Sequence, residues 1–250
     1  MPTSYSPETA GPRLTRIGLT DQVHRILRRQ VLDGKYPGGS TLNTVELATE
    51  LGISRTPVRQ ALQIMEQQGL VEVDTRGQYV VRQPTTPEIL EVFLLRVTLE
   101  WMALRMVVER ADDASIRALR RVLDEQETAM VDGDGAKFLD LDGQLHVQIA
   151  RSAGLQHTAQ FLTELRDQIV LLGGKAITQP GRREAVLAEH HVILNAVAER
   201  NAEKAVEALA NHLLNTARSL SEEIVGPLEV LVNVSYGKGD LGADHPARSS

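Results

Sequence analysis

The sequence predicts a mainly α-helical protein, in which a small helix-and-hairpin unit precedes an antiparallel bundle of six or seven helices. Short helical patterns and one β-hairpin pattern fill residues 19–83. Amphipathic helical patterns, separated by short breaks that mostly contain glycine, fill residues 88–223. A stiff stretch with two prolines, residues 84–87, joins the two parts, so we expect two domains.

Composition narrows the class of protein. The 250 residues include no cysteine, so any metal must be bound by His, Asp or Glu side chains, and a reducing compartment is favoured. No apolar run approaches 18 residues, and the N-terminus lacks the apolar core of a signal peptide. We therefore expect a soluble, cytoplasmic protein with no membrane partner.

Charge is distributed unevenly along the chain. The net charge is −6, but residues 1–84 carry ten Lys and Arg against eight Asp and Glu, a net charge of +2. The remaining residues carry 17 Lys and Arg against 25 Asp and Glu, a net charge of −8. This asymmetry is compatible with one part that contacts phosphate and another part with a different task.

The N-terminal pattern favours a winged helix-turn-helix. Residues 1–18 have no periodicity and are expected to be a flexible arm. Helical spacing follows over residues 19–32, then in a short helix that Asn43 and Glu46 cap, and then after Ser54. The apolar residues of this third helix are Val58, Ala61, Leu62 and Met65. Alternation over residues 70–73 and 78–81, around a turn at residues 74–77, predicts a hairpin.

This arrangement indicates DNA binding. If Val58 and Leu62 face inward, then Arg55, Thr56 and Arg59 face outward at the end of the helix that enters a major groove. An arginine side chain can donate two hydrogen bonds to guanine or phosphate. At the tip of the hairpin, Arg76-Gly77 is suited to the minor groove, because glycine lets the backbone approach closely. Taken alone, such arginines are more often solvated surface residues.

Four side chains of the helical part form a candidate metal site. Asp142 and His146 lie four residues apart, beside the apolar residues Phe138, Leu141, Leu145 and Ile149. His190 and His212 lie on apolar faces of two other helices. A single histidine in such a place is usually a hydrogen-bonded core residue, but several of them with a carboxylate suit a borderline divalent metal. Zinc is our first expectation, with nickel or manganese as alternatives.

Arg96 lies within an apolar stripe of the first bundle helix. A buried guanidinium needs a partner. Two alternatives are open: an ion pair with Glu100, four residues later, or a place in the metal cavity where Arg96 binds the carboxylate of a small effector.

A resemblance to a known family adds to these interpretations. The strings Gly34-Lys35-Tyr36-Pro37-Gly38-Gly39-Ser40-Thr41-Leu42, Leu51-Gly52-Ile53-Ser54-Arg55-Thr56-Pro57-Val58-Arg59-Gln60-Ala61-Leu62 and Arg76-Gly77 resemble the GntR family of bacterial transcription regulators. The resemblance implies that DNA is contacted by Ser54, Arg55, Thr56, Arg59, Arg76 and Gly77. It also implies a homodimer on a palindromic operator, with half-sites about one helical turn apart. Two positions depart from the pattern: Gln60 replaces the usual Glu, and Val45 replaces an Arg that contacts DNA in several members.

The helical part resembles the FCD ligand-binding domain of the FadR subgroup, in its residues around Asp142-x-x-x-His146, Glu189-His190-x-x-Ile193-Leu194 and Leu209-x-x-His212-Leu213. This resemblance implies that Asp142, His146, His190 and His212 bind the metal and that Arg96 binds an organic acid. The spacing of the family motif implies that the metal ligand is His190 rather than His191. The implied function is a repressor whose operator affinity depends on that acid.

Two other functions stay open at this stage. One is a constitutive DNA-binding dimer with a purely structural metal, and the other is a metal-dependent hydrolase. The hydrolase is disfavoured because no nucleophile motif is present and because Glu189 is expected to point away from the site. His24, His157, His191 and His245 are expected to be structural or surface residues, and residues 224–250 a partly disordered tail in which residues 228–234 are apolar enough to dock.

Overall fold

The computed structural model describes residues 18–176 and 179–235. Within this part the chain forms ten α-helices, three short β-strands and one 3-10 turn, so the predicted mainly α-helical class is confirmed. The predicted flexible arm, apart from Gly18, lies outside the described residues, as do residues 236–250 of the predicted tail.

The N-terminal unit is a winged helix-turn-helix, as predicted. Its elements are α1 (Leu19–Leu32), β1 (Thr41–Leu42), α2 (Thr44–Glu50), α3 (Arg55–Gln67), β2 (Val71–Val73) and β3 (Tyr79–Val81). The strand order β1-β3-β2 is antiparallel throughout, with Tyr79 of β3 opposite Leu42 of β1 and Val73 of β2.

One apolar core holds this unit together. Helices α1 and α3 pack their apolar faces on each other, because Val23, Leu27 and Val31 recur with helical spacing. Helix α3 buries the four apolar residues that the sequence indicated, and all four have no exposed surface: Val58, Ala61, Leu62 and Met65. The opposite face of α3 is therefore left to solvent.

The C-terminal unit contains seven of the helices in the described part of the chain. Side chains of Asp112, Asp134 and Asn201 accept hydrogen bonds from backbone amides in the first turns of three of them, which fixes where those helices begin. The helices are α4 (Thr86–Arg110), α5 (Asp113–Val131), α6 (Gly135–Ser152), α7 (Gln156–Ala176), α8 (Arg182–Ala198), α9 (Ala202–Leu220) and α10 (Val225–Ser235).

Both predicted boundaries of this unit differ from the structure. Helix α4 begins at Thr86, inside the predicted linker, because Thr85 and Glu88 form a capping box and a proline is tolerated in the first turn of a helix. At the other end, residues 225–235 form helix α10, so residues 228–234 dock as their apolar character allowed, whereas the fraying expected after residue 223 is not seen in this segment. Leu228 is fully buried against the bundle, where it adds to the hydrophobic core.

The two units contact each other through a few side chains. Leu32 packs against both cores, and Leu171 of α7 packs against the N-terminal core. Arg29 of α1 lies 3.6 Å from the carboxylate of Asp134, at the start of α6. In the described part of the chain, no helix combines the length and the apolar character needed to cross a membrane.

Candidate functional sites

The N-terminal end of α3 presents polar side chains to solvent. Ser54, Arg55, Thr56 and Arg59 are all exposed, because Pro57 and Val58 turn the apolar side of the helix into the core. Ser54 is the N-cap residue, although its side chain makes no capping hydrogen bond. Gln60, one of the two departures from the family pattern, accepts a 2.8 Å hydrogen bond from Thr20 of α1.

The hairpin brings the other predicted residues beside this helix. The carboxylate of Asp74 accepts hydrogen bonds from the backbone amides of Arg76 (2.9 Å) and Gln78 (2.8 Å), which closes the turn. Gly77 has a φ of 77°, a left-handed conformation that glycine adopts without strain. Arg59 and Gly77 line one open groove of about 480 Å³ between α3 and the hairpin. Arg76 is exposed beside it.

A second site lies inside the helical bundle. Asp142 and His146 come from α6, His190 from α8 and His212 from α9, and one ligand atom of each lies within 4.8 Å of the others. The three imidazole rings have centroids 4.7–5.5 Å apart. All three histidines are buried, whereas Asp142 is partly exposed. The structure therefore brings together the four residues that the sequence singled out.

In each of the three imidazole rings, Nδ1 contacts an oxygen atom of another side chain. His190 Nδ1 lies 2.9 Å from Gln126 Oε1, and His212 Nδ1 lies 2.8 Å from Glu189 Oε2. His146 Nδ1 lies 2.6 Å from Glu100 Oε2, close enough for an ion pair but without hydrogen-bond geometry. The three Nε2 atoms are buried and have no hydrogen-bond partner, and Asp142 Oδ1 lies 3.5 Å from His190 Nε2.

This donor set fits a divalent metal. Buried nitrogen atoms without a partner are costly, and a shared cation would satisfy all three Nε2 atoms together. Burial, with the nearby positive charges, lowers the pKa of His190 well below its usual value. Burial also lowers the pKa of His212, against the opposing hydrogen bond to Glu189. Both rings are therefore neutral near pH 7, the form that binds metal. Three imidazoles and one carboxylate suit zinc, nickel or a similar ion.

Arg96 is buried, and its guanidinium is paired with a carboxylate. Its Nε donates a 2.7 Å hydrogen bond to Glu100 Oε1, and the exposed fractions of the two side chains are 2% and 0%. Burial by itself would raise the pKa of Glu100, but its contacts with Arg96 and His146 lower it to about 2. The carboxylate is ionised at neutral pH, so the structure contains the ion pair that the sequence offered as one alternative for Arg96.

Three polar residues around this cluster were missed or misplaced in the sequence analysis. Glu189 was expected to point away from the site, and the structure corrects this: its carboxylate reaches across from α8 to His212 on α9. Gln126 and Arg182 were not singled out. A signal for Gln126 was present, because it continues the buried stripe of Leu119 and Leu123 along α5. Arg182 gave no comparable signal, since it begins its helix after a glycine.

The other histidines lie outside this cluster. His24 contacts Gln68 at 2.8 Å, His191 contacts Glu127, and His157 is exposed. His245 is outside the described residues.

Comparison with known proteins identifies the family. Residues 19–81 match the model of the bacterial regulatory proteins of the gntR family, and residues 91–215 match the FCD domain. The chain belongs to the GntR family. GntR regulators bind operator DNA, and this chain is a GntR transcriptional regulator with an FCD domain rather than an enzyme.

Curated GntR relatives cover most of the chain. It is 27% identical over 192 residues to the uncharacterized HTH-type transcriptional regulator YdhC of Bacillus subtilis, covering 76% of this chain and 86% of YdhC. It is 23% identical over 208 residues to the HTH-type transcriptional repressor RspR of Escherichia coli, covering 82% of this chain and 90% of RspR. Repressors thus occur among the relatives of this GntR protein.

Solved structures share the fold. Escherichia coli McbR/YncC superposes with a TM-score of 0.65 at 21% identity, covering 88% of this chain and all of that one. A putative GntR regulator from Rhodococcus sp. RHA1 superposes with a TM-score of 0.69 at 24% identity, covering 83% and 97%.

Proposed function

We propose that this GntR regulator is a cytoplasmic homodimeric repressor that binds a palindromic operator and releases it in response to a small organic acid. The acid binds in the FCD domain beside a divalent metal. The observation that carries this proposal is the convergence of Asp142 with three buried histidine Nε2 atoms in a domain joined to a winged helix-turn-helix.

The DNA contacts come from the exposed end of α3 and from the hairpin. Arg55 and Arg59 read guanine edges or hold phosphates, with Ser54 and Thr56 beside them. Arg76 and Gly77 meet the flanking minor groove. The shared groove of Arg59 and Gly77 supports this assignment, since one DNA duplex would then touch both elements.

Asp142, His146, His190 and His212 would hold the metal. Zinc is the first candidate, followed by nickel and manganese. When bound, the metal supplies positive charge and coordination positions that a carboxylate can occupy. Gln126 and Glu189 support the site because they hold the Nδ1 side of two rings and leave Nε2 free.

Arg96 is the proposed second anchor of the effector. Since Arg96 is paired with Glu100, an incoming carboxylate would have to displace Glu100 or share the guanidinium with it. Such an exchange would also alter the contact between Glu100 and His146. An effector coupled to DNA by about 1–3 kcal/mol would weaken operator binding about 5- to 150-fold.

A functional test starts with native mass spectrometry of the purified protein to count bound metal. Small carboxylates are then screened for changes in operator affinity at a stated salt concentration. We expect the His146→Ala variant to keep operator binding and lose the effector response. Operator binding that no carboxylate changes, with metal present, would instead support a constitutive dimer with a structural metal.

The DNA contacts are tested with Arg59→Ala. We expect operator affinity to fall about tenfold or more, because a two-point contact with a base is lost. Arg117→Ala, an exposed arginine on α5, is the matched control and should bind normally. Circular dichroism checks that both variants fold, and unchanged affinity in a folded Arg59→Ala variant would refute the assignment.

A further inference from the structure

The carboxylate of Glu189 is held by donors from two helices. Its Oε2 accepts a 2.8 Å hydrogen bond at His212 Nδ1, and its Oε1 accepts one of 2.8 Å from Asn215. The guanidinium of Arg182 donates to both oxygens, at 2.9 and 3.2 Å. A two-point contact of this kind fixes the plane of a carboxylate as well as its position.

Arg182 is in turn tied to the backbone beside His212. It is the first residue of α8, and its Nη2 donates a 2.8 Å hydrogen bond to the hydroxyl of Thr216. That hydroxyl donates to the carbonyl oxygen of His212 at 2.9 Å. Arg182 is 8% exposed and Glu189 16%, so water screens this network weakly.

We propose that Arg182 and Glu189 form a positioning pair for His212, an inference that rests on the proposed metal site. An ionised carboxylate only accepts hydrogen bonds, so Glu189 places the ring proton on Nδ1. The lone pair of Nε2 is then directed at the point shared with Asp142, His146 and His190. Arg182 acts one step further out, by fixing the position and orientation of the Glu189 carboxylate through its two hydrogen bonds.

His190 offers an internal comparison. Its Nδ1 meets Oε1 of the neutral Gln126 amide, and the Nε2 of that amide donates a 3.4 Å hydrogen bond to the carbonyl oxygen of Phe138. A glutamine is therefore sufficient to orient a ligand ring in this bundle. A carboxylate adds negative charge, which makes the ring a stronger electron donor. Different variants of Glu189 can therefore test separately the orientation of the His212 ring and the negative charge beside it.

The first measurement is Zn²⁺ affinity, obtained by competition with a chromophoric chelator on the full chain. We expect Glu189→Ala to weaken Zn²⁺ binding about 10- to 100-fold, as losses of such supporting contacts do in other metal sites. Glu189→Gln should lose less, because its amide oxygen can still accept from Nδ1. Arg182→Gln should lie between Glu189→Ala and the unchanged protein. Glu184→Gln, an exposed residue on the same helix, is the control and should bind Zn²⁺ normally.

The second measurement is X-ray absorption of the Zn²⁺-loaded proteins, which counts imidazole ligands. We expect three in the unchanged protein and in Glu189→Gln, and two in Glu189→Ala if His212 has turned away. Thermal unfolding of the metal-free proteins shows whether each variant folds. If Glu189→Ala does not fold, Glu189→Gln and Arg182→Gln carry the comparison.

The outcomes separate this inference from the function on which it depends. If the unchanged protein binds no Zn²⁺, the proposed metal site fails. If it binds Zn²⁺ and the folded Glu189 and Arg182 variants bind equally well with three imidazoles, the metal site stands and the positioning pair is refuted.

Discussion

Arg96 and Glu100 lie one turn apart on α4, and both are excluded from water. Each charge would be costly to bury alone, so the pair forms a unit in which neither side chain can be removed without penalty. His146 contacts the second oxygen of Glu100. The ion pair of Arg96 and Glu100 is therefore more than a contact within one helix, because Glu100 also touches the candidate metal site.

Removal of the negative charge of this pair should destabilise the protein strongly. We expect Glu100→Gln to lower the free energy of unfolding of the metal-free protein by about 3–5 kcal/mol, because the Arg96 guanidinium stays buried without a counter-charge. Urea unfolding measures the change. Glu109→Gln, an exposed residue on the same helix, should change it by no more than about 0.5 kcal/mol. Equal stability of the two variants would contradict this account of Arg96.

Helix α10 packs against the bundle, in a segment for which partial disorder was expected. It carries several apolar side chains, and Val225, Leu228 and Val232 are buried. Contacts with α4 and α9 cover them. The chain between residues 224 and 235 therefore belongs to the folded bundle.

A truncation within α10 tests this packing. Leu228→Ala should lower the free energy of unfolding by about 2–5 kcal/mol, since a fully buried leucine leaves a cavity when shortened. Val230 on the same helix is 64% exposed, and Val230→Ala should be nearly neutral. Denaturant titration of both variants gives the comparison, and a neutral Leu228→Ala would mean that α10 does not dock in solution.

The capping box at the start of α4 makes a prediction about pH. Hydrogen bonds from the backbone amide and side chain of Thr85, with the charge of Arg82, lower the pKa of Glu88. Because the pKa of Glu88 is lower in the folded than in the unfolded state, the ionised carboxylate stabilises the fold at pH values above the unfolded-state pKa. This stabilisation is lost as the pH falls through the folded-state pKa. Glu88→Ala should therefore lower the midpoint of thermal unfolding at pH 7 and much less at pH 3. Glu91→Ala should show no such dependence, and a pH-independent loss in Glu88→Ala would exclude the charge as its source.

At the scale of the whole molecule, the DNA-binding unit and the bundle touch where α3 ends. Gly69 follows α3 with a φ of 71°, and a Cβ added there would lie 2.9 Å from Gln168 Nε2 of α7. Helix α7 packs on α6, which carries Asp142 and His146. This contact therefore connects α6, which carries two of the proposed metal ligands, through α7 to the C-terminal end of α3, the helix proposed to contact DNA.

Gly69→Ala and Gly39→Ala form a matched pair for that contact. Both glycines are left-handed, so each substitution should cost about 1–2 kcal/mol of backbone strain. Gly69→Ala should cost somewhat more, because its Cβ would displace the ends of the Gln168 and Arg82 side chains, whereas nothing lies within 4 Å of an added Cβ at Gly39. Adding Gln168→Ala should remove most of the excess, as unfolding measurements of the double variant would show. Additive effects would mean that the Gln168 side chain is displaced without cost.

Fold class, family and the members of the candidate metal cluster could all be predicted from the sequence. Apolar spacing fixed which faces of α3 and α6 turn inward, and local patterns of this kind survive in any tertiary context. The same spacing placed Asp142 and His146 on one side of α6. The convergence of His190 and His212 with them came from family resemblance, because residues on separate helices have no fixed relation in the sequence.

The side chains that support the cluster became visible only in the packed bundle. Gln126 reaches His190 across 64 positions of sequence, and Glu189 reaches His212 on a neighbouring helix. Such contacts depend on the rotation and docking of α5, α8 and α9 against one another, to within an ångström or so. Periodicity defines the buried side of a helix but not its partner, and for that reason Glu189 was misplaced and the docking of α10 was underestimated.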